Sequence, residues 1–263
     1  MTFYVIEDHR NHSDTIRSRE SGLSQATMLA AAMVAIGFAI LARGLRAVSD
    51  GGALAGAFIA FVLMAGGGML AFLPLLAVFL LTLVATRWRA ERKRNLGISE
   101  RGSGRKAGQV AANLGAAGLC ALAAALFPRH YGALMVGAMT VLAEATADTV
   151  SSEAGQAIAT APRMILGFQP VPAGTNGAIS LEGTFAGCIA ASLVAWTATL
   201  CGIVAWRWAP LIAAAGAAGM LFDSVLGATL ENRGKMGNDA VNFVSTVFAA
   251  DLALAAVMVV QSF

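Results

Sequence analysis

Charge is what this chain has least of. Only 13% of its 263 residues are Asp, Glu, Lys or Arg, about half of the roughly 25% found in a soluble domain. With 57% hydrophobic residues and a mean hydropathy of +0.70, the chain lacks the material for a polar exterior. A water-soluble globule is therefore excluded, and a polytopic membrane protein is expected. Cysteine is also scarce: Cys120, Cys188 and Cys201 lie in apolar runs without metal-ligand spacing, and read as buried free thiols. The three histidines, His9, His12 and His130, fall outside the apolar runs, which argues against zinc binding or a proton relay. No GxxxxGK[ST] phosphate loop and no nucleic-acid-binding motif occurs, so nucleic acid is not an expected partner. The first 25 residues are polar and lack the apolar core and small-residue cleavage site of a signal peptide. They are expected to form a mobile or surface-lying tail, residues 1–25, ahead of a single transmembrane domain, residues 26–263.

Apolar stretches long enough to span a bilayer run over about 26–43, 69–86, 107–127, 131–158, 183–206, 209–231 and 238–261. A shorter Gly-rich stretch, 51–66, makes an eighth or only re-enters. The fold class predicted is all-α, a polytopic bundle of seven to eight transmembrane helices. Short links at Gly66–Gly68 and Phe127–His130 predict tight antiparallel hairpins between the helices that they join. Small-xxx-small spacings, such as Gly52/Gly56 and Gly183/Gly187, predict close helix packing.

Lys and Arg in the loops set orientation. The segment from Arg87 to Lys106 holds eight of the 18 (Arg87, Arg89, Arg92, Lys93, Arg94, Arg101, Arg105, Lys106), and is expected in the cytoplasm. With eight spans, Arg43, Arg46, Arg163, Arg233 and Lys235 join it. Arg10, Arg17, Arg19, Arg129 and Arg207 fall on the other side, with the tail. Should 51–66 only re-enter, the tail becomes cytoplasmic and nothing after residue 87 changes. Polar groups from five segments then converge at one cytoplasmic level.

The densest of these groups is EATADTVSSEAG, residues 144–155. A carboxylate in the bilayer costs at least roughly 2.5–3.5 kcal/mol, so Glu144, Asp148 and Glu153 must be compensated. Glu144, Asp148, Ser151/Ser152 and Gly155 share one helical face by spacing. Such oxygen donors suit Mg²⁺, which takes a few carboxylates, water and substrate phosphates; the alternative is pairing with a base or a hydrogen bond across helices. The loop Gly174–Thr184 clusters Gly, Thr, Asn and Ser at a helix start. It offers either a phosphate cradle or a turn with a helix cap. Asp223, Gly227 and Glu231 lie roughly on one face, followed by Arg233, Lys235, Asn238 and Asn242. Arg233 and Lys235 neutralise phosphate or merely set topology. Arg105, Gln109 and Asn113 form a polar face, although snorkelling to the interface explains Arg105 equally. For Asp251, deep in the last helix, an interhelical hydrogen bond is expected rather than catalysis.

Four blocks carry a family resemblance: EATADTVSSEAG (144–155), PAGTNGAISLEGTFAG (172–187), DSVLGATLE (223–231) and NDAVNFVST (238–246). In their order and spacing, over roughly residues 100–263, the chain resembles the membrane family of domain of unknown function 92, which includes the plant phytyl-phosphate kinase. The family is distantly similar to polyprenol and phytol kinases and to CDP-diacylglycerol synthases, and often carries Asp where this chain has Asn176. The resemblance implies phosphoryl transfer from a nucleoside triphosphate, CTP before ATP, to an isoprenyl monophosphate, giving the diphosphate.

On that reading Asp148 and Asp223 hold Mg²⁺, with Glu144 and Glu231 as further ligands. Asp148, Glu153, Lys235 and Arg233 carry catalysis. Thr175, Asn176, Gly177, Ser180, Arg105, Asn238 and Asn242 bind nucleotide or phosphate. The expected setting is the plasma or inner membrane with the site facing the cytoplasm, and a homo-oligomer is allowed. The rival reading is a cation-coupled transporter or flippase of a lipid phosphate, since intramembrane carboxylates and Gly-interrupted helices suit transport as well.

Overall fold

In lipid, backbone N–H and C=O groups find no water, so long apolar runs satisfy them internally as helix. The structure, a computed structural model, describes residues 24–95 and 104–262. Within them, eight helices are long and apolar enough to cross a membrane. The tail to residue 23, with Arg10, Arg17, Arg19, His9 and His12, lies outside the described residues, as does Arg101. The helices are α1 (Gln25–Gly44), α2 (Asp50–Gly67), α3 (Phe72–Arg87), a short α4 (Ala90–Asn95), α5 (Ala107–Leu126), α6 (Tyr131–Ile158), α7 (Leu181–Leu200), α8 (Ala209–Leu226) and α9 (Asn238–Gln261). The all-α expectation holds. One small antiparallel pair, β1 (Arg163–Met164) with β2 (Ala178–Ile179), ties the α6–α7 loop.

The short run at 51–66 is a complete helix. Ser49 caps α2 by accepting from the Gly52 N–H at 3.2 Å, and its 18 residues rise about 27 Å. The predicted hairpins divide. α5 and α6 pack along one another across a 3₁₀ turn at Pro128–His130. α2 and α3 separate instead: α2 lies on α5, while α3 lies on α6 and α7. Gly68 takes φ 82°, and a 3₁₀ turn over Met69–Ala71 redirects the chain. Meanwhile Gly52 and Gly66 set bare backbone against the Arg105 and Ala121 carbonyls. The small residues of α2 thus seat it on α5, and α3 is left to pack elsewhere. The span expected over 183–206 runs from Leu181 to Leu200, because Ser180 caps it early and Gly202, at φ 67°, turns the chain.

α6 is the axis of the bundle. Its 28 residues reach about 42 Å, and α3, α5, α7, α8 and α9 all pack on it. Side chains from Met135 to Ala147 are buried. Glycines allow this crowding: Gly183 and Gly187 of α7 face the Ser151 and Ala147 carbonyls, and Gly216 and Gly219 of α8 face Ala143 and Glu144. A Cβ at Gly183 would stand 2.6 Å from the Ser151 carbonyl oxygen. Gly183→Leu is therefore expected to cost at least about 1–3 kcal/mol, as overpacking does. A thermal unfolding midpoint in detergent equal to wild type would contradict this packing.

Alternation of the spans gathers the α1–α2, α3–α5, α6–α7 and α8–α9 links at one end of the bundle. That end carries Arg43, Arg46, Arg163, Arg233, Lys235 and the described part of the Arg87–Lys106 run; Arg129 and Arg207 are at the other. The first is the basic end. The outer faces are apolar, with Leu54, Leu181 and Leu200 fully turned outward. Asp251 is exposed on the outside of α9 and makes no side-chain hydrogen bond among the described residues, so the interhelical bond expected for it is not formed. The cysteines form no disulfide, and all three are partly exposed rather than buried as expected.

Candidate functional site

Six helices, α3–α6, α8 and α9, and the α6–α7 loop enclose a polar cavity of about 730 Å³ at the basic end. α6 supplies its floor. Asp148, Ser151, Ser152 and Gly155 line it together, as their shared helical face requires. Glu144, one turn deeper, does not line it. It lies in a slot opened by Gly219, where an added Cβ would stand 2.5 Å from the Glu144 Cγ. Glu144 is 1% exposed, and its Oε1 has no hydrogen-bond partner. A buried, orphaned carboxylate oxygen is uncommon and calls for a proton, a water or an ion.

α8 brings Asp223 and Glu231 to the opposite wall. Ser245 of α9 holds Asp223, donating to Oδ2 at 3.1 Å. After Leu226 the helix widens into a π turn over Gly227–Glu231, closed by Asn232 N–H to Gly227 O at 3.1 Å. Such turns insert an extra residue and occur often at functional sites. Here the turn meets the α6–α7 loop: an added Cβ at Gly177, which sits at φ 77°, would lie within 2.6 Å of the Ala228 Cα. The Asn232 side chain donates to the Asn176 carbonyl at 3.0 Å. Thr175, Asn176, Gly177 and Ser180 thus line the cavity, as do Asn238 and Asn242 from α9. Two of these hydroxyls have local duties: Ser180 caps α7 by accepting from the Gly183 N–H at 3.0 Å, and Thr175 donates to Pro172 O at 2.8 Å.

Arg105 closes the wall beside α5. Its Nη2 donates to Thr149 Oγ1 at 3.2 Å, so it points into the bundle rather than snorkelling out. Its charge acts directly on Asp148. Gln109 and Asn113 follow on the same face and also line the cavity. Arg233 and Lys235 do not: both are exposed on the α8–α9 turn and neither lines the cavity.

Glu153 has a different environment from the one its neighbours suggest. Lys93, on α4, donates to Glu153 Oε2 at 2.5 Å, to Thr86 O at 2.8 Å and to Ala85 O at 3.1 Å. All three ammonium protons are used, and the side chain is 2% exposed. The pairing with a base that was the alternative for the carboxylates of this segment therefore applies to Glu153. Lys93, Arg94 and Thr86 line the cavity, and sequence reasoning passed over them. A lysine inside a basic run reads as solvated, and nothing in its spacing marks it as the one that turns inward.

Asp148, Asp223 and Glu231 are close enough to repel one another, and Glu144 feels both aspartates. Among the described residues no three carboxylates form a ready-made metal cage. An all-oxygen donor set facing a wide polar cavity nevertheless fits Mg²⁺, which keeps waters and borrows phosphate oxygens rather than demanding a full protein shell. The orphaned Glu144 oxygen agrees with a charge-compensated site.

This constellation lies on helices that recur in other chains. The family described as Integral membrane protein DUF92 matches residues 33–250, which extends the four sequence blocks back into α1. An uncharacterized membrane protein of Synechocystis is 32% identical over 196 residues, 73% of this chain and 76% of that one. An uncharacterized membrane protein of Methanocaldococcus jannaschii is 30% identical over 212 residues, 80% of this chain and 85% of that one. The chloroplast protein VTE6 of Arabidopsis thaliana is 28% identical over 197 residues, 71% of this chain and 58% of that one. No solved structure matches the chain. With most of its transmembrane bundle and every wall of the polar cavity inside the matched region, the chain belongs to the DUF92 family of integral membrane proteins.

Proposed function

We propose that this protein is an integral-membrane phosphotransferase that moves a phosphoryl group from a nucleoside triphosphate, CTP before ATP, to an isoprenyl monophosphate. The observation that carries the reading is the facing of Asp148 across one polar cavity by Asp223 and Glu231, with Arg105 and the Gly174–Gly177 loop on its rim. Phosphoryl transfer asks little covalent chemistry of a protein; positioning and charge neutralisation suffice. The sequence likeness to VTE6 and the family resemblance to the plant phytyl-phosphate kinase support the same reaction class.

In this reaction a non-bridging oxygen of the acceptor phosphate forms a bond to the γ-phosphorus as the bond to the nucleoside diphosphate breaks. The products are the isoprenyl diphosphate and the nucleoside diphosphate, and any acceptor proton leaves to solvent. Asp148 and Asp223 would hold Mg²⁺, with Glu231 and the buried Glu144 beside them; bound there, the ion supplies charge neutralisation for the phosphates. Arg105 neutralises phosphate oxygens at the rim. Asn238 and Asn242 orient the nucleotide, and the Gly174–Gly177 backbone lets phosphate approach closely. Glu153 positions α4 through Lys93. Arg233 and Lys235, on the outer turn, steer the anionic nucleotide toward the mouth. We place the basic end in the cytoplasm, where the nucleotide is.

The transporter reading would need polar groups continuing to the far end of α6. From Met135 to Ala143 that helix is buried and apolar apart from Thr140, whose hydroxyl turns back to Val136 O at 2.8 Å. Incubating the purified protein with Mg²⁺, CTP or ATP and isoprenyl monophosphates should yield a new diphosphate by mass spectrometry. EDTA should end the reaction and added Mg²⁺ restore it. No product with any pairing of donor and acceptor would overturn the proposal.

A further inference from the structure

A second cavity, about 740 Å³, adjoins the polar one. That volume falls in the range of small-molecule sites, roughly 300–1,000 Å³. It lies where α2 and α3 part: α1 and α2 wall one side, α3 the other, and α5 the back. Its deep portion is apolar, formed by Phe38, Val78, Phe79, Leu83 and Leu114. Phe38 bridges α1 to α3 by edge-on contacts with Phe72 and Phe79, at 5.1 and 5.0 Å between ring centres. Gly56 opens onto it with nothing within 4 Å of where a Cβ would be. Gly56 was expected to pack a helix, and here its missing side chain leaves space.

The mouth of this cavity is of opposite character. Arg46, Arg87, Arg94, Arg105 and Lys106 line it, and no acidic residue does among the described residues. Among the described residues, one of these five bases forms an ion pair: Arg94, with Glu91 at 3.9 Å on the exposed side of α4. Arg87 donates to Leu45 O at 2.6 Å and so ties α3 to the α1–α2 link. Arg46 adopts φ 56°, a left-handed conformation uncommon outside glycine and a recurrent mark of functional sites. Five bases crowded at the head of a greasy slot match an anion on an apolar chain. Positive charge placed for topology alone would need no such slot.

The two cavities share a wall. Thr86, Arg94, Arg105, Gln109 and Asn113 line both. A phosphate held at the mouth of the apolar cavity would therefore sit beside the polar cavity, with Arg105 between the two.

We infer that this second cavity is the lipid-acceptor site: the isoprenyl chain lies between α1–α2 and α3, and its monophosphate is held by Arg46, Arg87, Arg94 and Arg105. This rests on the proposed transfer only for its consequence, since binding needs no nucleotide.

The test is photolabelling of the full-length protein in nanodiscs, using a C20 isoprenyl monophosphate with a diazirine at its tail. Adducts are expected on the α1 and α3 peptides that contain Phe38 and Phe79. Unlabelled isoprenyl monophosphate should displace the probe, while the matching alcohol should do so at least ten-fold less well. Gly56→Leu, which has room to fold, should cut labelling at least ten-fold and lower the ratio of kcat/KM for C20 over C5 acceptors to a similar extent. Adducts confined to α7, α8 or α9, or equal displacement by the alcohol, would overturn the assignment. Competed labelling at Phe38 and Phe79 without any transfer would sink the proposed reaction and leave the lipid site standing. Transfer with adducts elsewhere would do the reverse.

Discussion

Asp148→Asn should reduce phosphoryl transfer by at least about 100-fold, the range of roughly 10²–10³ seen when one preorganised charge-stabilising group is removed. The change keeps shape and hydrogen-bonding capacity and removes only the negative charge. Asp148 lies on the bundle axis, on the cavity floor, with Arg105 acting on it from one side and Asp223 and Glu231 facing it. No hydrogen bond among the described residues depends on its carboxylate, so the fold has little to lose. Burial disfavours the Asp148 charge, and together with repulsion from its acidic neighbours this outweighs the attraction of Arg105, so neutralising the residue relieves a net cost. The unfolding midpoint of the apo variant should therefore equal or exceed wild type, the usual pattern where a site trades stability for activity. Full activity in Asp148→Asn would remove the residue from the site. Lost activity with a lowered midpoint would show that the charge serves the fold.

The second large effect is on stability. Lys93→Ala should destabilise the protein by roughly 3–5 kcal/mol, the cost of leaving one member of a buried ion pair alone. The lysine is 2% exposed and Glu153 18%, so solvent screens the pair little. Its removal strands Glu153 and also frees the Ala85 and Thr86 carbonyls at the end of α3, which a helix terminus must satisfy somehow. The double variant Lys93→Met with Glu153→Leu should recover much of the loss, because apolar replacements leave no buried charge. Thermal unfolding in detergent measures both. A single variant within about 0.5 kcal/mol of wild type, as at ordinary surface positions, would mean that α4 does not dock as described.

Much of the architecture was legible because lipid leaves the chain few options. A run of some twenty apolar residues with few charges has one stable form there, and seven of the eight spans follow from counting such runs. The boundaries that moved did so for local reasons that composition hides: the Ser180 cap and Gly202 shift α7, and Gly68 sends α3 away from α2. In the site, residues that share one helix face, Asp148 with Ser151, Ser152 and Gly155, were readable from spacing. Their placement against Asp223 and Glu231 follows from alternation of the spans. Arg233 and Lys235 show where such reading fails, since proximity in sequence to a site does not bring a side chain into it.

Composition and periodicity alone determined the helical membrane class, seven of the eight spans, the basic end and the carboxylates that require compensation. Each follows from a cost paid by a single residue or segment in a bilayer. Tertiary structure decided which base compensates which acid, that Glu144 lies beneath the cavity rather than in it, and that α2 and α3 part around a second, apolar cavity. Those outcomes depend on how closely two backbones approach. That distance is set jointly by glycines and alanines on two helices far apart in the chain, as where Gly52 meets the Arg105 carbonyl and Gly219 makes room for Glu144.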